Sequence, residues 1–342
     1  MKNQLISILK VLIPLGIGVY VIWYQYNQLT PHQLTEIRNS FIQADYFWVI
    51  LSVIFGILSH LSRAYRWKYA MEPLGYKTRF INNFFGVMIG YVANIVLPRF
   101  GEVWRCVMVS RYEKNTSFEK LFGTVVAERV TDLVILMIIV VSVVIMQLAR
   151  LKESIMDLVD TFTQANSVTE ILFKLAIAGV VSFGGGFIFW RLIQRSNNIL
   201  FVKIRNLLRG LADGLTSILK MEHKLAFLLH TAFIWIMYLA MFYVAFFALP
   251  GTSETPISGV MASFVMASFS IVLVQGGIGV YPVAVAQTLL LYGVSYESGF
   301  AMGWILWVAQ TLMIVSLGVF SLILMPLLNS STITSTISQK SV

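Results

Sequence analysis

Long apolar runs recur along the chain, and short polar segments separate them. Several runs reach the roughly 20 residues that a helix needs to cross the hydrocarbon core of a bilayer. They predict spans over about residues 6–26, 46–61, 122–148, 172–192, 225–249 and 300–324. The pattern predicts an all-α polytopic membrane protein, a helical bundle with residues 1–328 as one transmembrane domain and 329–342 as a short tail.

The apolar run over residues 81–97 has basic segments on both sides. Lys and Arg are enriched in cytoplasmic loops, so a single crossing would place cytoplasmic-type charge at both ends of this run. A re-entrant helical hairpin that enters from the cytoplasm, turns between Pro98 and Gly101, and returns resolves this conflict. Irregular backbone at that depth requires cover by protein or a water-filled cavity.

A second apolar region, over residues 257–292, is also interrupted. The interrupting residues are Gln275, Gly276, Gly277, Gly279 and Pro282. They favour a bend over a binding role. The region forms either two crossings or a second re-entrant hairpin, and charge does not decide between them. Residues 94–101 and 270–277 share Ile-Val-Leu and a later glycine. Interrupted helices in both halves of a chain are typical of transporters with inverted repeats.

Charge and composition narrow the functional classes. Only 12% of the residues are charged, against about 25% in soluble domains. The net charge of +9 lies in a few loops, which is the pattern of membrane topology rather than of nucleic-acid binding. It places both termini in the cytoplasm and favours an amphipathic helix over residues 199–219 on the inner face. The single Cys106 and four scattered histidines indicate no disulfide, metal or cofactor.

Ionisable residues at membrane depth are costly and therefore suggest function. Six such residues are Arg99, Glu102, Arg105, Glu128, Arg129 and Asp132. Glu128 and Asp132 are four residues apart on one helix face, so they repel unless cations lie beside them. We predict one buried polar cluster, in which Arg129 serves Asp132 and either Arg99 or Arg105 serves Glu128.

Two interpretations of this cluster remain open. In the first, Arg99 or Arg105 binds the phosphate of a lipid head group, and a carboxylate takes a proton or an amine. In the second, the six residues form a static ion-pair lock. Asn94 either contacts a ligand or caps broken backbone. Another basic group is more typical of an interfacial anchor that faces anionic lipid. Its residues are Arg63, Arg66, Trp67 and Lys68.

Three motifs in this order and spacing resemble one family. They are Arg63-x-x-Arg66-Trp67, Pro98-Arg99-x-Gly101-Glu102-x-x-Arg105 and Glu128-Arg129-x-x-Asp132. Over roughly residues 5–327 the chain is similar to the lysylphosphatidylglycerol synthase transmembrane region family, also called the flippase-like domain family. The resemblance implies paired re-entrant hairpins in a bacterial or archaeal plasma membrane.

The best-known members of that family join this region to a soluble aminoacyl-transferase domain, and the membrane part moves the charged lipid between leaflets. We find no such domain in this sequence, so we expect no lipid aminoacylation. The second glycine motif also departs from the family pattern Pro-Gly-Gly-x-Gly-x-x-Glu. Val274 and Gln275 precede its glycines, and Pro282 stands where the acid is expected. That change argues against a two-sided proton relay.

Together these features favour a bacterial inner-membrane transporter, not an enzyme, that moves a lipid or polyprenyl-phosphate substrate between leaflets. Its expected partners are membrane lipids with phosphate head groups, and Arg99→Ala should abolish head-group movement. One alternative is a membrane-embedded enzyme of lipid-linked sugar metabolism, although the sequence has no Asp-x-Asp motif. Another is a scaffold or regulator, which predicts a charged lock with no cavity beside it.

Overall fold

The computed structural model describes residues 16–97, 100–113, 116–150, 202 and 221–329. Those residues form helices with no strand among them, which confirms the all-α prediction. Several predicted features lie outside the described residues. They are the start of the first span, the span over 172–192, the amphipathic helix over 199–219, the turn residues Pro98 and Arg99, and the tail beyond residue 329.

The described helices are numbered here in chain order. They are α1 (helical over 16–28), α2 (Pro31–Gln43), α3 (Tyr46–Met71), α4 (Phe80–Val96), α5 (Gly101–Tyr112), α6 (Phe118–Arg150), α7 (Lys224–Ala245), α8 (Ile257–Leu273), α9 (Val280–Leu290) and α10 (Tyr296–Leu328). Four helices of this described part, α3, α6, α7 and α10, are long and apolar enough to cross a membrane. The polytopic architecture is therefore confirmed.

The chain divides into two compact units. One comprises Met1–Ile135 and Met221–Val342, and the other comprises Leu136–Lys220. In the second unit the structure describes the end of α6 and residue 202. The hairpins and the site described below lie in the first unit.

Side-chain caps define where the first helices start. Thr30 caps α2 and forms a reciprocal capping box with Gln33, and Pro31 occupies the first helical position as predicted. Asp45 caps α3 by accepting a hydrogen bond from the N–H of Phe47. Helix α3 then continues well past residue 61, where the apolar run ends, because its last turns are packed inside the protein.

The first hairpin consists of α4 and α5, which have 17 and 12 residues. Both limbs are shorter than the roughly 20 residues that a full crossing requires. Glu113, directly after α5, accepts hydrogen bonds from the backbone N–H of Arg79 and from Asn82 Nδ2, both at 2.8 Å. Since the end of α5 contacts the start of α4, the chain returns to the level at which it entered. The re-entrant hairpin predicted here is confirmed.

The second hairpin consists of α8 and α9, which have 17 and 11 residues. The hydroxyl of Tyr292, just after α9, donates to the carbonyl oxygen of Ser258 at the start of α8. Helix α9 is about half as long as a full crossing requires. The question that charge left open is thus answered by helix length: residues 257–292 form a re-entrant hairpin rather than two crossings.

Helix α10 runs from the base of the second hairpin to the base of the first. It has 33 residues and starts at Tyr296, directly after the base of the second hairpin. It ends at the base of the first, where Asn329 exchanges hydrogen bonds with Asn82. The two bases therefore lie at opposite ends of one membrane-spanning helix, and the hairpins enter from opposite sides. This is the arrangement that an inverted repeat produces.

Because the two hairpins enter from opposite sides of the membrane, cysteines introduced at their bases should be labelled from opposite sides. Lys77, before α4, and Glu254, before α8, are both exposed. Lys77→Cys and Glu254→Cys would be introduced separately into a Cys106→Ala background, since the native thiol is fully buried. We expect a membrane-impermeant maleimide on intact cells to label residue 254 and to reach residue 77 only after permeabilisation. Equal labelling of both from the same side would contradict the two-sided arrangement.

Close contact between α4 and α5 predicts that the first hairpin does not accept a methyl group at its tip. A Cβ on Gly101 would overlap the carbonyl oxygen of Gly90 and lie 2.6 Å from the Asn94 side chain. Gly101→Ala should therefore cost about 1–3 kcal/mol of stability. Gly123→Ala on α6 is the matched control, because nothing lies within 4 Å of its added methyl group. Thermal unfolding in detergent checks both variants, and identical midpoints would contradict the contact.

Candidate functional site

Charged side chains from three helices meet beside the first hairpin. We call this group the charged cluster. Its members are Arg63 and Arg66 from α3, Glu102 and Arg105 from α5, and Glu128, Arg129 and Asp132 from α6. The spacing of three or four residues on each helix places these side chains on one face. Five of the six residues predicted to cluster are thus together, and Arg99 lies outside the described residues.

Asp132 is held by two arginines of α3. Arg63 Nη1 donates to one carboxylate oxygen at 2.7 Å, and Arg66 Nη1 donates to the other at 2.6 Å. Arg66 adds a contact to Thr231 on α7, and Arg63 adds one to the hydroxyl of Tyr238. Arg129, the partner predicted for Asp132, is farther away at 3.9 Å. The carboxylate therefore joins α3 to α6 through charge-assisted hydrogen bonds.

Glu128 is the second buried carboxylate. It accepts a hydrogen bond from Arg105 Nη1 at 2.8 Å, as predicted, and Arg66 Nε lies 3.5 Å from its other oxygen. The guanidinium of Arg105 lies over the Trp67 ring at 3.6 Å, a cation–π contact that suits a planar cation in a low-dielectric site. Trp67 itself donates to Thr124. This pair joins the first hairpin to α6.

The remaining pair lies at the edge of the cluster. Arg129 Nη2 is 3.1 Å from Glu102 Oε1, and their side chains are 41% and 23% exposed. The arginines behind them, Arg63, Arg66 and Arg105, are at most 4% exposed. Arg129 is thus the most exposed arginine of the cluster.

The cluster carries an excess of positive charge. Four guanidinium groups stand against three carboxylates, which leaves one positive charge without a counter-charge among the described residues. In addition, Arg105 Nε and Nη2 are buried and have no hydrogen-bond partner in that part of the chain. Buried donors of this kind are costly when left unpaired. An anion that accepts hydrogen bonds would correct both imbalances.

The interpretation of Arg63 and Arg66 as an interfacial anchor is wrong. Both are buried inside the protein, where they neutralise the α6 carboxylates. The sequence held no signal for this, because Arg105 and Arg129 already match the two carboxylates of α6 in number. Lys68 does fit the surface position, since it is half-exposed and 3.8 Å from Glu72.

A cavity of about 660 Å³ lies beside the cluster, between the tips of the two hairpins. Its polar lining consists of Tyr91, Asn94, Glu102, Arg129, Gln275, Trp307, Gln310 and Thr311. Tyr91, Asn94, Glu102 and Arg129 also line a smaller void of about 10 Å³ that reaches Arg63 and Arg105, which is enough for one water molecule. The cavity and the smaller void therefore share four lining residues beside the charged cluster.

Hydrogen bonds hold the tip of the second hairpin against the first hairpin and against α10. Gln275 Nε2 donates to the carbonyl oxygen of Ile95 at 2.7 Å, and Trp307 Nε1 on α10 donates to the carbonyl oxygen of Gly276 at 2.6 Å. Asn94 caps the broken backbone by accepting a hydrogen bond from the Gly101 N–H at 2.7 Å. Asn94 also lines the cavity, so the two roles considered for it are compatible.

The glycines of the second tip shape the bend as expected. Gly276, Gly277 and Gly279 all have a positive φ, between 64° and 72°, a conformation that L side chains rarely adopt. Pro282 is buried in α9, where Gly303 of α10 approaches it closely. These residues bring the tip against Ile95.

Several aromatic and polar residues of the site escaped the sequence analysis. Tyr91 and Tyr238 have their hydroxyl groups 3.4 Å apart, and Trp307, Gln310 and Thr311 line the cavity from α10. Such residues are common in membrane helices, and no spacing distinguishes them. Among the described residues, no group of three or more His, Cys, Asp or Glu side chains could hold a metal ion.

Comparison with known proteins bears on the same residues. A family model described as the lysylphosphatidylglycerol synthase TM region matches residues 11–318. A UPF0104 membrane protein of Methanocaldococcus jannaschii is 30% identical over 146 residues, which cover 42% of this chain and 40% of that protein. A UPF0104 membrane protein of Pyrococcus horikoshii is 23% identical over 271 residues, which cover 74% of this chain and 79% of that protein.

No solved structure matches the chain. The matched range covers most of the chain and includes the residues of all three motifs. With this match, the resemblance seen in the motifs is confirmed, and the chain belongs to the lysylphosphatidylglycerol synthase transmembrane region family.

Proposed function

We propose that the protein moves a lipid with a phosphate head group, either a phospholipid or a polyprenyl phosphate, between the two leaflets. The observation that carries the proposal is the uncompensated positive charge of the cluster beside the 660 Å³ cavity. Arginine presents planar, paired donors that fit phosphate oxygens. A phosphate in this cavity would supply the missing negative charge and would accept hydrogen bonds from Arg129, which lines the cavity.

The cavity wall suits a molecule with a polar head and apolar tails. Ile271, Val272 and Leu273 line it at the end of α8, and Val272 and Leu273 are 70% and 76% exposed. Exposed apolar side chains of a membrane protein face lipid tails. A head group can therefore lie at Arg129 while its chains leave past α8 into the bilayer.

Opposed hairpins give this site a route to both leaflets. Each tip ends near the middle of α10, and among the described residues one side-chain hydrogen bond, from Gln275 to Ile95, links the two tips directly. Breaking that bond and shifting one hairpin would open the cavity to one side. Glu128 and Asp132 then act as fixed counter-charges, since each lies between two guanidinium groups. The alternative of a scaffold with a static ion-pair lock predicts no cavity beside the cluster, so the cavity counts against that alternative.

If the protein transports lipid, removal of the exposed cation Arg129 should slow lipid movement. Purified protein would be placed in liposomes that contain fluorescent anionic, zwitterionic and polyprenyl-phosphate lipids, and lipid movement would be followed by surface quenching. A hydrogen bond to a charged group contributes about 1.5–3 kcal/mol, so Arg129→Gln should slow movement by about tenfold or more. Arg99→Ala should also fail to move lipid.

Arg38→Gln is the matched control for this experiment. Arg38 is exposed on α2, away from the cavity lining, so its removal changes the net charge equally and should leave the rate unchanged. If Arg129→Gln moves lipid at the wild-type rate, Arg129 is not a phosphate ligand. If the wild-type protein moves none of the lipids, the proposed function is wrong.

A substitution in the buried part of the cluster should destabilise the fold rather than only slow transport. Asp132→Asn leaves Arg63 without its carboxylate partner and Arg66 with Glu128 alone, and breaking a buried pair costs about 3–5 kcal/mol. We expect it to lower the unfolding midpoint sharply, while Arg129→Gln stays folded. Glu119→Gln, exposed in the first turn of α6, is the control. Equal midpoints for Asp132→Asn and Glu119→Gln would show that the pair does not hold the fold.

A further inference from the structure

A buried histidine lies one aromatic layer behind the cavity. His60 on α3 is 2% exposed, and neither of its ring nitrogens has a hydrogen-bond partner in the described chain. Buried polar groups nearly always have partners, and each exception asks for an explanation. An apolar side chain of similar shape would avoid the cost. Packing alone therefore does not explain why a histidine occupies this position.

The surroundings of His60 are aromatic and basic. Its ring contacts Tyr91 of α4, with centroids 4.7 Å apart, and Tyr238 of α7, at 6.2 Å. The charge that acts on it is that of Arg63, three residues later on the same helix. From α10, Met313 packs on α3 one turn earlier, against Gly56. Among the described residues, the titratable and charged groups that face His60 are therefore Arg63, Tyr91 and Tyr238.

Burial and the charge of Arg63 together disfavour a proton on His60. The cluster already holds one excess positive charge, and Arg63 belongs to it. A proton on His60 would add a second positive charge to a low-dielectric site, which is unfavourable. In the empty protein His60 is therefore neutral.

A phosphate ligand changes this balance according to its own charge. A phosphodiester carries one negative charge and neutralises the cluster. A phosphomonoester above its second pKa of about 6 carries two and leaves one negative charge in excess. That excess favours a proton on a nearby imidazole.

We infer that His60 takes up one proton when a lipid phosphomonoester enters the cavity, so that the protein moves the dianionic head group together with a proton. The inference rests on the proposed function and narrows its substrate to the phosphomonoester class. The proton comes from water, adds to a free ring nitrogen, and returns to water when the ligand leaves. The cluster with its ligand and proton then has no net charge.

Isothermal titration calorimetry tests this directly. Geranyl monophosphate would be titrated into the full-length protein in detergent, in two buffers of different ionisation enthalpy at about pH 8, where the free ligand is a dianion. The difference in heat gives the number of protons taken up. We expect about one proton per ligand for the wild type, and affinity that falls about tenfold per pH unit as the pH rises. The methyl ester of the same phosphate, a monoanion, should bind with no uptake.

His60→Gln should bind geranyl monophosphate more weakly and take up no proton. His223→Gln is the matched control, because His223 is an exposed histidine that lies 3.8 Å from Glu72, away from the cavity lining. It should retain the wild-type uptake. Uptake that persists in His60→Gln overturns the assignment to His60.

The wild-type measurement stands even if His60→Gln does not fold. Wild-type binding of the monoester without proton uptake overturns the inference and leaves the proposed function intact. Failure of the wild type to bind either ester overturns the proposed function, and the inference with it.

Discussion

The rest of the structure depends on neutralising two carboxylates inside a membrane. Glu128 and Asp132 lie on one face of α6, where their charges are expensive without partners. Arg63 and Arg66 bring α3 to them, and Arg105 brings the first hairpin. The same ion pairs therefore fix the helix packing and gather the cations. Because the cations outnumber the carboxylates by one, the arrangement that holds the fold also leaves one positive charge of the cluster without a carboxylate partner.

The short helices of the two hairpins determine where that place lies. Limbs of 11 to 17 residues end within the membrane, and their tips meet beside the middle of α10. Backbone that breaks at this depth needs partners, which Asn94, Gln275 and Trp307 provide. Gln275 stands where the family pattern has proline, so its side chain supplies a donor between the tips that proline lacks.

Sequence patterns predicted the spans, the first hairpin and most of the cluster, because length, hydropathy and buried charge are local properties. They did not decide between a re-entrant hairpin and two crossings over residues 257–292, because these two alternatives differ in helix length and not in loop charge. They misplaced Arg63 and Arg66, because an arginine at the end of an apolar run has the same pattern whether it faces lipid head groups or a buried carboxylate. Residues such as Tyr91, Trp307 and His60 became visible only in three dimensions, through contacts between distant helices.

The central claim is that the excess charge of the cluster binds phosphate. A cryo-electron microscopy map of the protein in lipid nanodiscs with a polyprenyl monophosphate tests it most directly. The account predicts density for the phosphate between the hairpin tips, within hydrogen-bond distance of Arg129. Phosphate density elsewhere on the protein, with an empty cavity and Arg129 still paired to Glu102, would contradict it.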